Sequence, residues 1–396
     1  MKVNEKYHQF YSTLFLSLVS LSFVLSDWMI GLFTFSEYIL GFTVTLLVVV
    51  GNFKLSRIQI KWILGTVIFL IAHLIMQEVF NEYFILKVGF AAFTKLIFYI
   101  VIMLSLYNYI LENRLLKKFL IINNFFAIIT CLIGLYIVIA IYSDGVLPFE
   151  FLWSFTRSDV TSYVFNNGVL SFVRMRSVFS EPSYFGFYLN TILAMNYLNS
   201  SHIKINRGFS LGISFAILLT LSYSAIAIML LTTILYIFSK KKEWLKSNKR
   251  KSIGLILMVI VIAFLMYVLF QDFFNHVFIQ RTIDIFTDTD NSGYSRLFGS
   301  WKYVNESNFL LGNGLGHTPA IWNIYAYMLS DLGIFGLVYF VVVTLIVLKT
   351  NKELGAFFIV MNFSKGGYLS SSFWVFFLLT IIYSYNKKCL PKSKRN

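Results

Sequence analysis

A short polar segment in the middle of an otherwise apolar chain carries residue types that suit anion binding and proton transfer. Arg174 and Arg176 precede a Ser-Glu-Pro-Ser sequence at 180–183. Proline suits the first turn of a helix, because its missing N–H would have had no partner there. The segment therefore predicts a helix that begins here, with two guanidinium groups and the Glu181 carboxylate at its positive end. Such an arrangement can hold an anionic headgroup beside a candidate general base.

Arginines outside this segment extend the candidate anion site. Arg281 and Arg296 lie in a second polar stretch, 271–324. Guanidinium groups bind phosphate oxygens through two parallel hydrogen bonds and stay charged at every working pH. We therefore predict a phosphate-binding role for four arginines, namely Arg174, Arg176, Arg281 and Arg296. The alternative is that they pair with the acidic residues of their own loops.

Two side chains are candidates for the catalytic base, Glu181 and His317. A carboxylate at a helix N-terminus is stabilised in its charged form by about 0.3–1 kcal/mol, so a plain helix cap is the alternative for Glu181. His317 follows the Gly-Asn-Gly-Leu-Gly sequence at 312–316, whose glycines allow the backbone to turn tightly beside a ligand. Its imidazole suits removal of a proton from a hydroxyl group, and a solvated loop histidine is the alternative. We expect the stretch 312–336 to face the Ser-Glu-Pro-Ser segment.

Other catalytic and metal-binding motifs do not fit the sequence. The glycines at 312–316 lack the spacing and the strand–turn–helix context of a dinucleotide site. The segment Asp288–Gly293 resembles the start of a calcium loop, but Gly299 stands where a bidentate glutamate is required. The two cysteines, Cys131 and Cys389, form neither a disulfide framework nor a zinc pattern. We therefore predict neither a metal site nor a cofactor.

The elements that must position these residues are membrane helices. With 58% hydrophobic and 13% charged residues, the chain has too little polar surface to coat a soluble globule. We predict an all-α polytopic membrane protein with about twelve transmembrane helices in one integral membrane domain, 1–396. The predicted spans are 10–26, 35–51, 60–77, 84–108, 119–142, 183–198, 208–221, 223–239, 252–270, 325–348, 354–365 and 369–385.

The charge distribution predicts the topology. Under twelve spans, 24 of the 33 Lys and Arg residues fall in loops on one side. The positive-inside rule then places both termini in the cytoplasm, and the net charge of +15 reports topology rather than nucleic-acid binding. The stretches 208–239 and 354–385 could each be two short helices or one long tilted helix. Two helices are favoured for both, because fusing just one pair would break the charge bias.

Two predicted external loops are long, 143–182 and 271–324. Long loops are usually functional or disordered, and the Trp, Tyr and Phe residues throughout these two argue against disorder. The alternative is that the loops only cap the bundle. We expect them to carry the site, because they hold the candidate arginines.

The sequence resembles the superfamily of O-antigen polymerases and O-antigen ligases, which are polytopic GT-C-type bacterial membrane glycosyltransferases. The resemblance rests on the two long external loops and on an Arg-x-Arg-x3-Ser-Glu-Pro-Ser junction at 174–183. It also rests on a late Gly-x-Gly-His…Asn…Asp-Leu-Gly-Ile-x-Gly stretch at 314–336. The topology match covers essentially the whole chain, whereas the motifs cover two short segments.

This resemblance implies inverting or retaining glycosyl transfer on the periplasmic face of the bacterial inner membrane. Donor and acceptor would both be undecaprenyl-diphosphate-linked oligosaccharides, and a polysaccharide chain-length regulator is an implied partner. Arg176 and Arg296, with Arg174 and Arg281, would hold the donor diphosphate. Glu181 or His317 would deprotonate the acceptor hydroxyl. No metal or other cofactor would be needed, because fixed guanidinium charges can stabilise a leaving diphosphate.

Two alternatives stay open at this point. An O-antigen ligase would transfer finished polymer to the lipid A core, and His317 does not separate it from a polymerase. The Ser-Glu-Pro-Ser junction favours the polymerase, an enzyme of lipopolysaccharide biosynthesis. A lipid-linked oligosaccharide flippase is the third reading, but flippases of twelve spans generally lack long external loops and concentrate charges within the bundle.

Overall fold

The computed structural model describes residues 2–143, 146–156, 164–166, 171–201, 203–247, 283, 293–294 and 298–384. Over these residues the protein is mostly helical, which is compatible with an all-α membrane protein. In chain order the α-helices are α1 (Lys2–Val24), α2 (Phe35–Val49), α3 (Arg57–Phe80), α4 (Leu86–Glu112), α5 (Leu116–Tyr142), α6 (Pro182–Leu198), α7 (Arg207–Leu219), α8 (Tyr223–Ser247), α9 (Ile324–Thr350), α10 (Lys352–Lys365) and α11 (Ser371–Ser384).

Within the described residues, the connections contain only short pieces of other regular structure. Two antiparallel hairpins pair Met29 with Thr34 and Val164 with Val173. The strands are β1 (Met29–Ile30), β2 (Phe33–Thr34), β3 (Val164–Asn166) and β4 (Ser171–Val173), and single 3-10 turns lie at Glu150–Trp153 and Gly299–Tyr303. The bridge between Trp28 and Thr156 joins the connection before α2 to the chain that precedes β3.

The predicted number of spans is wrong for the part of the chain that the structure describes. Four helices, α3, α4, α5 and α9, are long and apolar enough to cross a membrane, and they suggest a membrane protein. Five further apolar segments, within α1, α2, α7, α8 and α11, have only 10–17 residues. At 1.5 Å per residue they reach about 15–26 Å, less than a hydrocarbon core of about 30 Å. The prediction of twelve counted every apolar run as a crossing. Its ninth span, 252–270, lies outside the described residues.

The two interrupted apolar stretches each form two helices, as predicted. Helices α7 and α8 are separated at 220–222, where Leu221 has a φ of +46°. Helices α10 and α11 are separated at 366–370. A Cβ at Gly366 would lie 2.5 Å from the Ile324 Cβ, so glycine is needed where the end of α10 meets the start of α9.

Helix α6 lies at the centre of the bundle. Of its 17 residues 13 are buried, and it packs against α5, α7, α8, α10 and α11. Gly186 allows α8 to approach closely, because a Cβ there would lie 2.4 Å from the Ala225 Cβ. Asn190 fixes this contact by donating to the carbonyls of Gly186 and Ala225, each at 2.9 Å. Packing on all sides thus holds the first turn of α6 in a defined place.

Helix α9 is broken near its beginning. Gly333 has φ +65° and ψ −160°, so the helical hydrogen bonding is interrupted there. The chain near 308–312 occupies the break, and Ile334 donates its amide to the Phe309 carbonyl at 3.1 Å. A Cβ at Gly333 would lie 2.0 Å from the Leu310 carbonyl oxygen. Both the positive φ and the close backbone approach therefore require glycine.

Candidate functional site

The Ser-Glu-Pro-Ser sequence begins helix α6, as predicted. Glu181 is the N-cap residue with extended backbone angles, and Pro182 occupies the first turn. The Glu181 side chain makes no capping hydrogen bond to the helix. Instead its Oε2 accepts a hydrogen bond from the Ser183 hydroxyl at 2.7 Å, and the side chain is 41% exposed. The carboxylate is therefore accessible, which the helix-cap reading did not require.

The chain immediately before α6 is fixed from the connection between α1 and α2. The Asp27 Oδ2 accepts hydrogen bonds from both the amide and the hydroxyl of Ser180, the amide at 2.7 Å. The Trp28 indole donates to the Val178 carbonyl at 2.7 Å. These contacts bridge distant parts of the sequence and set the direction in which the chain enters the helix.

A residue in the left-handed region stabilises the same segment. Ser177 has a φ of +53°, a conformation that costs a non-glycine residue about 1–3 kcal/mol. Its hydroxyl donates to the Thr130 carbonyl at 2.6 Å, and its carbonyl accepts from the Trp153 indole at 2.7 Å. These two hydrogen bonds hold the turn that places Arg176 beneath Trp153.

The predicted phosphate-binding arginines lie in different surroundings. The Arg176 guanidinium lies 3.4 Å from the centroid of the Trp153 ring, is 1% exposed and donates to the Ser180 carbonyl at 2.7 Å. Arg174 is half-buried and donates to the Thr220 carbonyl at 3.3 Å. Arg281 and Arg296 lie outside the described residues. In this conformation Arg176 supports the segment before α6, and contact with a phosphate would require Trp153 to move.

Lys365 is a candidate site residue that the sequence analysis did not select. It is the last residue of α10, and its Nζ lies 3.7 Å from the Glu181 Oε2. The same Nζ lies 3.1 Å from the centroid of the Tyr184 ring and 4.1 Å from that of Trp322. The sequence signal was a lysine followed by Gly366 and Gly367 inside an apolar stretch, on the predicted side that is poor in cations.

The stretch 312–336 meets the start of α6, as expected, and the contact runs through Trp322. The rings of Tyr184 and Trp322 pack edge to face with their centroids 5.7 Å apart. The Gly366 amide donates to the Trp322 carbonyl at 2.6 Å, which joins the end of α10 to the same point. Glu181, Lys365, Tyr184 and Trp322 therefore form one cluster, called here the Glu181–Lys365 cluster.

The glycine-rich loop before α9 is organised by Asp331. The buried carboxylate accepts hydrogen bonds from the amides of Gly316 at 2.9 Å and Thr318 at 2.8 Å. The Tyr368 hydroxyl donates to the same carboxylate. Tyr368 lies between α10 and α11, and burial raises the pKa of its phenol well above the ordinary value. The phenol therefore stays a donor, and Asp331 serves to fold the loop.

His317 holds this loop against the connection between α3 and α4. Its Nε2 accepts a hydrogen bond from the Ile85 amide at 2.8 Å, so the proton resides on Nδ1, which donates to the Leu315 carbonyl at 3.1 Å. The ring also stacks on Phe84 with centroids 4.5 Å apart. Both ring nitrogens are thus engaged, and the contacts of His317 are with this connection rather than with Glu181. Its role as a base stays a prediction.

Helix α3 binds the other side of the same loop. His73, Gln77 and Asn81 lie one turn apart, and each contacts a carbonyl of the loop. The His73 and Gln77 side chains contact the Leu311 carbonyl at 2.8 Å, and Asn81 donates to the Asn313 carbonyl at 3.1 Å. Three side chains at the C-terminal end of α3 and at its C-cap therefore fix the loop that leads to Trp322.

Comparison of the chain with protein-family models, curated proteins and solved structures finds no match. Among the described residues, no three His, Cys, Asp or Glu side chains come together at a place where they could share a metal ion. The resemblance to O-antigen polymerases and ligases therefore stays a prediction.

Proposed function

We propose that this protein is a surface-polysaccharide polymerase, which joins lipid-diphosphate-linked oligosaccharides by glycosyl transfer at the outer face of the bacterial inner membrane. The observation that supports it most is the Glu181–Lys365 cluster. An accessible carboxylate, a lysine ammonium 3.7 Å away and two aromatic rings come together at the start of the central helix. A few convergent polar groups in a mainly apolar surround are typical of a ligand site.

The proposed reaction needs one base and one or more cations. Glu181 takes the proton of the acceptor sugar's hydroxyl group, and the hydroxyl oxygen forms a bond with the anomeric carbon of the donor. The bond between this carbon and the diphosphate oxygen breaks, and the diphosphate leaves with the electron pair. Fixed cationic side chains near the leaving group stabilise the charge that develops on it.

Glu181 is the better candidate for the base in this proposal. Its side chain is 41% exposed, whereas both ring nitrogens of His317 form hydrogen bonds with the protein backbone. A base must come within hydrogen-bond reach of the proton that it removes. His317 would first have to release the Ile85 amide. Its proposed contribution is to hold the loop that leads to Trp322.

The proposal assigns different roles to the four arginines that were predicted to bind the diphosphate. Arg174 is half-buried and remains a candidate ligand of the diphosphate. Arg176 packs against the Trp153 ring and supports the segment that precedes α6. Arg281 and Arg296 lie outside the described residues, and the proposal keeps them as predicted diphosphate ligands.

An apolar groove between α3 and α4 suits the polyprenyl tail of such a substrate. It has a volume of about 340 Å³ and is lined by apolar side chains such as Ile75, Leu86 and Phe90. The connection between these helices also contacts the glycine-rich loop through Ile85 and His317. A polyprenyl tail in this groove would lie beside the connection that contacts the glycine-rich loop, which leads to the Glu181–Lys365 cluster.

The experiment that tests this function is incubation of the purified full-length protein with undecaprenyl-diphosphate-linked repeat units alone. We expect a ladder of products that differ by one repeat. Transfer only after addition of lipid A core would show a ligase instead. If neither product forms and the lipid-linked unit moves across a proteoliposome membrane, the protein is a transporter.

A further inference from the structure

Lys365 has an ammonium group that is buried between two aromatic rings. Its side chain is 4% exposed, and its Nζ faces the rings of Tyr184 and Trp322 at 3.1 and 4.1 Å from their centroids. Aromatic faces attract a cation, and burying an ammonium is costly unless such partners or an opposite charge compensate it. The position of this lysine is thus maintained by a dedicated aromatic surround.

A carboxylate close to this ammonium, that of Glu181, is partly exposed to solvent. The Nζ–Oε2 distance to Glu181 is 3.7 Å, well above the roughly 2.7–2.9 Å of a strong charge-assisted hydrogen bond. The same Oε2 accepts a short hydrogen bond from Ser183, and the Glu181 side chain is 41% exposed. A buried ammonium is therefore paired with a carboxylate that is partly exposed to solvent.

Two helix N-termini add positive potential at this point. Helix α6 begins at Pro182, and helix α9 begins at Ile324, directly after Asn323 and Trp322. The amide ends of helices carry partial positive charge. A Cβ at Gly366 would lie 2.7 Å from the Ile324 amide nitrogen, so the chain that follows Lys365 touches the start of α9.

A buried amide at the same helix end lacks an acceptor. Asn323 is fully buried, and its Oδ1 accepts hydrogen bonds from the amides of Tyr325 and Ala326 in the first turn of α9. Its Nδ2 has no hydrogen-bond partner among the described residues. Buried polar groups are nearly always paired, so a missing acceptor calls for an explanation. An oxygen-rich ligand beside Trp322 would supply one.

We propose that Lys365, enclosed by Tyr184 and Trp322, binds the diphosphate of the lipid-linked donor, and that the diphosphate replaces Glu181 as the counter-ion of Lys365. This inference rests on the proposed function and assigns a residue to its leaving group. Release from Lys365 frees the Glu181 carboxylate to take the acceptor's proton only when a donor is bound. The bound diphosphate then lies beside the N-cap of α6, where Glu181 stands.

The test is calorimetric binding of farnesyl diphosphate to the purified full-length protein in detergent. Lys365→Gln is expected to weaken binding at least about tenfold, because a hydrogen bond to a charged group is lost. Lys302→Gln is the matched control, since Lys302 also lies over a ring, with its Nζ 5.1 Å from the Tyr294 centroid. It should bind like the wild type. Equal binding by wild type and Lys365→Gln overturns the proposal.

Glu181→Gln distinguishes counter-ion exchange from a folding defect. The substitution removes the carboxylate that competes for Lys365, so farnesyl diphosphate is expected to bind the variant about twofold to tenfold more tightly. A damaged protein would not gain affinity. Weaker binding by Glu181→Gln would show that the diphosphate does not replace this carboxylate.

Inorganic pyrophosphate tests whether the ligand is lipid-linked. We expect it to compete with farnesyl diphosphate at lower affinity, and equal affinity would overturn the assignment to a lipid diphosphate. The binding results do not depend on polymer formation. Lys365-dependent binding without a wild-type ladder leaves the diphosphate site intact and removes the polymerase function. If the wild type forms the polymer ladder but Lys365→Gln binds farnesyl diphosphate as the wild type does, the role of Lys365 is wrong and the polymerase function stands.

Discussion

Arg176 and Lys365 are both buried cations that face aromatic rings, yet their remaining partners differ. The guanidinium of Arg176 lies on Trp153 and donates to the Ser180 carbonyl of its own segment at 2.7 Å. The ammonium of Lys365 lies on Tyr184 and Trp322 and faces the exposed carboxylate of Glu181. The first arrangement includes a hydrogen bond within one short segment of the chain. The second pairs the cation with a partly exposed carboxylate, which the proposed diphosphate would displace.

This difference shows why cation type and sequence motif alone do not locate an anion site. A guanidinium group is the better phosphate ligand in general, because it offers a planar set of donors. Here one of these donors binds the Ser180 carbonyl in the turn before α6, and the lysine stands beside the accessible carboxylate. The comparison makes predictions about stability as well as about binding.

Arg176→Ala should have the largest effect on stability. It removes the donor to a buried carbonyl and leaves a cavity beneath Trp153, which together should lower the free energy of unfolding by about 2–4 kcal/mol. Unfolding by SDS titration in detergent micelles measures the change. Arg174→Ala, at a half-buried arginine, is the control and should lose less than about 1 kcal/mol. If both variants lose the same free energy of unfolding, Arg176 does not stabilise the fold more than Arg174 does.

His317→Ala should have an intermediate effect. The Ile85 amide loses its acceptor and Phe84 loses a stacked ring, so we expect a loss of about 1–2 kcal/mol in the free energy of unfolding. The rate of polymer formation by the folded variant should stay within about threefold of wild type, since positioning is weakened rather than removed. Normal stability with abolished turnover would instead identify His317 as the base.

Lys365→Met should have the smallest effect on stability. Replacing a buried charge by an apolar side chain of similar length removes its desolvation cost, and such changes are often neutral. The free energy of unfolding should change by less than about 1 kcal/mol, because the exposed Glu181 can be solvated by water. A loss as large as that of Arg176→Ala would mean that Lys365, too, mainly builds the fold.

The start of α6 and the division of two apolar stretches into α7–α8 and α10–α11 could be predicted because their signals are local. Pro182 suits the first turn of a helix, and Glu181 before it has extended backbone angles. Polar patches interrupt the apolar stretches that form α7–α8 and α10–α11. Each of these features depends on neighbours within a few residues.

The number of crossings and the role of Lys365 could not be predicted in the same way. Hydropathy does not distinguish a lipid-facing helix from one packed on all sides, and α6 is buried by five neighbouring helices. Lys365 meets Tyr184 and Trp322 only after helices distant in sequence come together. Likewise, Trp153 covers Arg176 through a tertiary contact that no spacing pattern records.

The most direct measurement of the central claim is the rate of chain elongation by Glu181→Gln in proteoliposomes supplied with undecaprenyl-diphosphate-linked repeat units. Glu112→Gln is the matched control, because Glu112 also faces a lysine, Lys54, at an exposed position in α4. We predict that Glu181→Gln slows elongation about 100-fold or more, the usual contribution of a general base, while Glu112→Gln elongates like the wild type. Elongation at the wild-type rate by Glu181→Gln would contradict the account.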